Sequence, residues 1–357
     1  MRFEPPRCPY SACPSSRHGA PFPWSRRGSF PRKCDGRRVQ RFECGTCGRR
    51  FSVQSFRLDY RLRSPGLNAA LLAHFVSKVT HRQSARLLRV SRKTVLHRVR
   101  LLGAHCREFH RVRLECASLA GTFVLDELET FETDRRLQPV TMPVLVHWPS
   151  LLIVHQVAAP LPARGRLRPA DQRRKLALER LRGPRTSGSS AAVVACCEVL
   201  RNCLRPGGRA RVRTDRKATY RAILRDVFGA RAIHECTSGS LRRNHANPLF
   251  AVNHTFAMVR DGVSRLVRRT WANAKLRERL AEHTWIWVAW RNYVRGVTNV
   301  ATRTTPAMAA GILCRQLDVP DLVRWQARFP ELLRVQPAGP ASVRGRGGRI
   351  QSSPNSA

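Results

Sequence analysis

Negative charge is scarce in this 357-residue sequence: 23 Asp and Glu stand against 66 Lys and Arg, a formal net charge of +43. A surplus of that size exceeds what solubility requires and most often serves phosphate backbones, so nucleic acid is the expected partner. Lysine is scarce as well, at six positions such as Lys78 and Lys275. A codon bias toward arginine is enough to inflate the charge, which leaves the argument to motifs. No apolar run approaches the roughly 20 residues that span a bilayer, which excludes a membrane-spanning helix. The segment Met1-Arg2-Phe3-Glu4-Pro5-Pro6 lacks the apolar core of a secretory signal. A soluble, intracellular protein with no membrane partner is expected. In that compartment its 12 cysteines should be reduced or metal-bound rather than paired as disulfides.

What is present argues against a ribosomal-type protein or a disordered basic tail. Hydrophobic residues make up 42% of the chain and fall in periodic segments, the pattern of a folded protein with a basic surface. Residues 1–60 are rich in Cys, Pro, Gly, Ser and Arg with few aliphatic runs, so metal rather than a hydrophobic core should hold them. From 66 to 110 the apolar positions recur at helical spacing and predict three short helices. Near 118 the pattern changes: the run Gly121-Thr122-Phe123-Val124-Leu125 leads to Asp126, and apolar runs at 140–148 and 151–159 follow, which predicts consecutive strands. Residues 160–190 read as a basic insertion or surface helix outside the core. Beyond it a helix at 191–204, a strand ending at Thr214-Asp215, a helix at 220–227 and a strand at 231–234 give an alternating α/β order. A long helix should begin after Asn247 as cap, with Pro248 at its first position. Residues beyond 337 read as a disordered tail. There is no internal repeat.

Two cysteine pairs, Cys8-Pro-Tyr-Ser-Ala-Cys13 and Cys44-Gly-Thr-Cys47, have the short spacings that place two thiolates on one zinc ion, and together they predict a four-cysteine zinc ribbon. Gly45 and Gly48 permit the tight turn, Phe42 and Phe51 flank it as strand residues would, and Cys34 and His18 are alternative ligands to the first pair. Next, residues 81–99 fit a helix-turn-helix. Small Ala85 sits where a second helix must pack, Val90-Ser91 makes the turn, Ser91 caps the following helix, and Val95 and Val99 face inward. Arg92, Lys93, Thr94, His97 and Arg98 would form the face entering a major groove.

Asp126 follows a buried apolar run, where a carboxylate needs a cation or a donor. Asp215 closes the run Arg211-Val212-Arg213-Thr214 in the same way. Two strand carboxylates can serve a pair of magnesium ions, since hard cations prefer oxygen and two metals can clamp both oxygens of a phosphoryl displacement. The third ligand is expected from the long helix, whose stripe Leu249, Val252, Phe256, Val259, Val263 and Leu266 has Asn253 on its edge. Arg260, two turns after Asn253, lies on nearly the same face and could hold DNA near the metals. Glu127, Glu129 and Glu132 are reserve ligands, ranked below Asn253. Trp285, Trp287, Trp290 and Tyr293 read as core of a later helix, and His254 and His283 as neighbours of the site.

The ordered set of motifs resembles small bacterial insertion-sequence transposases: the zinc ribbon, the helix-turn-helix, Asp126 in Val-Leu-Asp-Glu-Leu, Asp215 in Arg-Thr-Asp-Arg-Lys-Ala-Thr-Tyr, and Asn253 through Arg260 before Arg265-Leu-Val-Arg-Arg-Thr270. The resemblance covers about residues 1–300. It implies an RNase H-like catalytic domain in which three residues bind two Mg²⁺ (or Mn²⁺) ions for strand cleavage and transfer at terminal inverted repeats. Asp126 and Asp215 correspond to the first two, Asn253 stands where the family usually has Glu, and Arg260 corresponds to a basic residue seven positions after the third. The expected organisation is α/β throughout the catalytic part. Residues 1–60 form a zinc ribbon, 61–112 a helix-turn-helix domain, 118–300 the RNase H-like domain with its insertion near 160–190, and 301–357 a carboxy-terminal extension. Expected partners are double-stranded DNA, as inverted repeats and target, and a second copy of the chain, in the bacterial cytoplasm at the nucleoid. The competing readings are a decayed copy or DNA-binding regulator, which the neutral Asn253 favours, and a nuclease that cuts without joining.

Overall fold

The computed structural model describes residues 3–17, 19–268, 271–298 and 304–327. His18 and the tail expected beyond 337 lie outside the described residues. Strands β1 (Trp24–Pro31), β2 (Arg38–Cys44) and β3 (Arg50–Ser52) form an antiparallel sheet in that order. Strand β2 buries Val39, Phe42 and Cys44. Phe42 lies opposite Phe51, their ring centroids 5.5 Å apart, and Phe3, Phe22, Trp24 and Phe56 close around them. This segment was expected to lack a hydrophobic core. It has a small one made of aromatic rings, each able to bury roughly 150–250 Å², rather than of the aliphatic runs that mark most cores.

Helices α1 (Leu67–Val76), α2 (His81–Leu87) and α3 (Arg92–Glu115) follow. Thr80 and Gln83 form a reciprocal capping box on α2, and the Ser91 hydroxyl accepts the Thr94 N–H at 3.1 Å to start α3. The third helix is not short. It runs 24 residues, because Gly103 within it marks a close crossing instead of an end: a Cβ there would lie 2.6 Å from the Glu282 carbonyl oxygen.

A mixed sheet forms the centre. Strands β4 (Thr122–Phe131), β5 (Pro139–His147) and β6 (Leu152–Gln156) are an antiparallel meander, with β7 (Ala159–Pro160) paired to β5. After α4 (Pro169–Arg182) and α5 (Ser189–Cys203), strand β8 (Ala210–Thr214) lies parallel to β4; after α6 (Thr219–Phe228), β9 (Ala232–Cys236) lies parallel to β8. The order is β6-β5-β4-β8-β9. The expected strands and helices from 122 to 236 are thus all present, and α4, which buries none of its residues, is the surface helix anticipated in the basic insertion.

Helix α7 (Phe250–Gly262) begins later than its sequence suggests. The Asn247 side-chain oxygen accepts the Leu249 N–H at 2.8 Å and its carbonyl accepts the Phe250 N–H at 2.8 Å. Asn247-Pro248 therefore makes a turn before the helix, and Leu249 takes the cap position. Val263 and Leu266 are buried but lie past its end, since α7 stops where Gly262 meets the Trp287 indole.

Helix α8 (Arg277–Tyr293) is the spine of the other layer, with α9 (Pro306–Ala309) and α10 (Val319–Arg324) beyond it. Trp285, Trp287 and Tyr293 are buried as expected, while Trp290 is half-buried. Edge strand β6 is covered from this side: the Asn292 side chain exchanges two hydrogen bonds with the Ile153 backbone, and His110, on α3, bridges the Val154 carbonyl and the Tyr293 hydroxyl. One continuous core runs from Leu58 to Leu322 and includes α1, α3, the sheet, α5 and α8. Cys196, Cys197 and Cys203 belong to it as small apolar side chains. No described helix is long and apolar enough to cross a membrane.

Candidate functional site

Asp126 sits midway along β4, and Asp215 is the first residue after β8. The parallel pairing sets Val124 level with Arg213, and that register carried on by two residues brings Asp126 beside Asp215. Neither carboxylate is spent on an ion pair among the described residues. Asp126 accepts the Glu127 N–H at 2.7 Å and Asp215 the Lys217 N–H at 3.0 Å. Helix α7 packs on β4 and β5. Between them opens a cleft of about 760 Å³ lined by Asp126, Asn253 and Arg260, with Arg243, His254 and Arg268. Asp215 flanks this cleft through Asp126 rather than lining it. The sequence therefore brings Asp126, Asn253 and Arg260 to one cleft with Asp215 alongside. Arg243, His254 and Arg268 complete it; of these the sequence points to His254 alone, because the others come from irregular segments without periodicity.

The reserve ligands are occupied. Glu127 is among the residues lining the cleft, but its carboxylate accepts hydrogen bonds from Thr141 (2.6 Å), Ser189 (2.8 Å) and Tyr220 (3.1 Å) and pairs with Lys217. Since Lys217 also donates its N–H to Asp215, this network ties the loop after β8 to β4 and fixes the two aspartates relative to each other. Glu132 is buried and paired with Arg185 at 2.7 Å, and Glu129 is exposed and paired with Arg164 at 2.6 Å. His283 is fully buried against the Phe75 carbonyl, away from the cleft lining.

Burial pushes the Asp126 carboxyl up to about 6, against the pull of the Glu127 N–H, and the negative charges of Asp215 and Glu127 add to the rise. The ordinary value is 3.8, so the folded protein binds a proton that the unfolded chain has already lost between pH 4 and 6. Folding is then penalised progressively as pH rises through that window, by up to about 3 kcal/mol above it. Asp126→Asn is accordingly expected to stabilise the protein above pH 6 without added divalent ions, and to make no difference below pH 4. Urea denaturation of parent and variant across pH 3.5–8 checks this.

In the amino-terminal segment the four thiols Cys8, Cys13, Cys44 and Cys47 lie with their sulfurs all within 4.8 Å of one another. Two of the separations, Cys8–Cys47 and Cys13–Cys44, are 3.8 Å. A tetrahedron with the roughly 2.3 Å zinc–sulfur arm has an edge of about 3.8 Å, so the set fits a zinc ion without rearrangement. Burial opposes ionisation of Cys44, yet the N–H groups of Cys47 and Thr46 bring its thiol down to about 7. Burial raises Cys8 and Cys13; four adjacent thiolates need a cation to neutralise them. Cys34 is exposed and outside the cluster, which removes it as a substitute, and His18 lies outside the described residues.

Of the residues expected on the groove-facing surface of α3, Arg92, Lys93 and His97 are exposed and Thr94 is partly so. Arg98 is not available. It is 4% exposed, and its guanidinium donates to the Asn68 side-chain oxygen and the Ser64 carbonyl, both at 3.1 Å. Position 98 follows buried Val95 by three residues and so falls on the inner face of the helix. Arg98→Ala should destabilise the protein by about 2–3 kcal/mol by orphaning those acceptors, whereas Arg92→Ala should stay within about 0.5 kcal/mol; chemical denaturation distinguishes them. Set against known proteins, the chain matches no family model and no curated sequence at a significant level.

Proposed function

We propose that the chain is a transposase of the insertion-sequence type, which binds DNA through its amino-terminal modules and cuts and joins strands at the Asp126 cleft. The observation that carries this reading is the convergence of the Asp126 carboxylate with an amide and a guanidinium from one helix at one cleft, with Asp215 brought alongside Asp126 by the parallel pairing of β4 and β8. A mixed sheet with an antiparallel meander followed by two parallel strands agrees with the RNase H-like domain that the resemblance implies. Helices α2 and α3, joined at a capped turn with Ala85 partly buried between them, agree with a helix-turn-helix whose reading face is Arg92, Lys93, Thr94 and His97.

The Asp126 and Asp215 carboxylates and the Asn253 amide oxygen are hard donors suited to Mg²⁺ or Mn²⁺. Such ions, when bound, would polarise a phosphodiester and lower the pKa of water. Asp126 must be ionised to serve, so a proton competes with the metal for it and Mg²⁺ binding should weaken as pH falls through about 6. The Glu127–Lys217 network holds the aspartates in register. Arg260 is half-buried with no carboxylate at ion-pair distance among the described residues, which leaves its planar fork free to grip a phosphate. A non-catalytic DNA-binding regulator is the second reading; it is favoured by Asn253, which contributes no charge. The deciding experiment incubates DNA carrying the sequences that flank the gene with Mg²⁺ and sorts the products. Joined strands support the transposase, cut strands without joining a nuclease, and intact bound DNA the regulator.

A further inference from the structure

A second cleft of about 720 Å³ adjoins the first and shares Glu129, Arg260, Val267 and Arg268 with it. Its walls are the end of β4 and the turn after it, which bring Arg135 and Arg136, the segment before α4, which brings Arg164, and the connection from α7 to α8. Five guanidinium groups therefore face one carboxylate, Glu129, and that carboxylate is already bound by Arg164 at 2.6 Å. Arg136 pairs outward with Asp171 at 3.1 Å. Arg135, Arg260 and Arg268 have no carboxylate within ion-pair distance among the described residues. Like charges crowded in a cleft repel one another, and a polyanion is what relieves that repulsion. Arg260 and Arg268 line both clefts and Arg135 and Arg164 only the second, so the cationic lining extends across the two clefts and suits an extended polyanion better than a small anion.

Helix α4 is fastened to the same wall. It buries no residue, and its contacts with the turn after β4 are the ion pairs Arg136–Asp171 and Arg174–Asp134, both 3.1 Å. The basic insertion thus braces the cleft's outer side without adding to the core.

We propose that this second cleft holds the phosphodiester backbone of one DNA strand as it leaves the carboxylate site, an assignment that rests on the DNA-processing reading given above. Arg135 and Arg164 line the second cleft alone and are the residues to change. Binding of a 30-nucleotide single-stranded DNA of mixed sequence is measured by fluorescence anisotropy across a salt series, with no added divalent ion. Each phosphate contact on a single strand contributes about 0.7 to the slope of log affinity against log salt. Arg135→Ala/Arg164→Ala should therefore flatten the slope by about 1.4, Arg135→Lys/Arg164→Lys should restore most of it, and Arg221→Ala/Arg225→Ala on α6, which line neither cleft, should leave it unchanged. An unchanged slope in the cleft variant, or an equal loss in the α6 variant, overturns the proposal. Because strand chemistry is absent from this assay, a parent that joins no strands but shows the slope change refutes the transposase reading and leaves the cleft standing. A parent that joins strands with no slope change does the reverse.

Discussion

Stripping the metal from the four-cysteine cluster, or replacing Cys44 with serine, is expected to unfold the amino-terminal ribbon while the rest of the chain stays folded. The two parts have separate apolar clusters: the ribbon rests on Phe42, Phe51, Phe56 and their neighbours, and the remainder on the core running from Leu58 to Leu322. A segment of that size gains little stability from burial alone, whereas structural zinc contributes about 10–16 kcal/mol at such sites. Metal analysis should give one zinc per chain. Chelation should then abolish the near-ultraviolet dichroism of Trp24 and its aromatic partners and open residues 24–52 to proteolysis. A ribbon that survives without metal would show that the ring cluster is sufficient.

The second large effect concerns the aspartates. Asp215→Ala and Asp126→Ala are each expected to reduce strand cleavage by more than about 100-fold, because even residues that merely orient a metal ligand are worth about 10–100-fold and these would be ligands themselves. DNA binding should be untouched, since the exposed face of α3 is remote in sequence and in element from β4 and β8. Equal cleavage by parent and variants would leave the proposed site without a role.

Much of this arrangement is legible from sequence. The apolar run Phe123-Val124-Leu125 locates Asp126 within β4, the short strand-like run Arg211-Val212-Arg213-Thr214 locates Asp215 just past β8, and helical spacing puts Asn253 and Arg260 on one face of α7. These succeed because each depends on local periodicity. Arg98 fails for the opposite reason: its charge suggests exposure, but its place one turn from Val95 sends it inward, where Asn68 and Ser64 satisfy it. The start of α7 is misplaced because Asn247-Pro248 suits a turn as well as a cap. The Glu127–Lys217 strut depends on partners from β5, α5 and α6, distant in sequence, and no single segment announces it. The second cleft is likewise assembled from three connections whose composition alone reads as solvated charge.

The central claim, that Asp126, Asp215 and Asn253 share one divalent metal site, is tested most directly by replacing Mg²⁺ with Fe²⁺ and mapping where ascorbate-driven hydroxyl radicals cut the protein's own backbone. The account predicts cuts clustered near residues 126, 215 and 253, suppressed by excess Mg²⁺ and lost in Asp126→Ala. Cuts confined to other segments, or a pattern unchanged in Asp126→Ala, would contradict it.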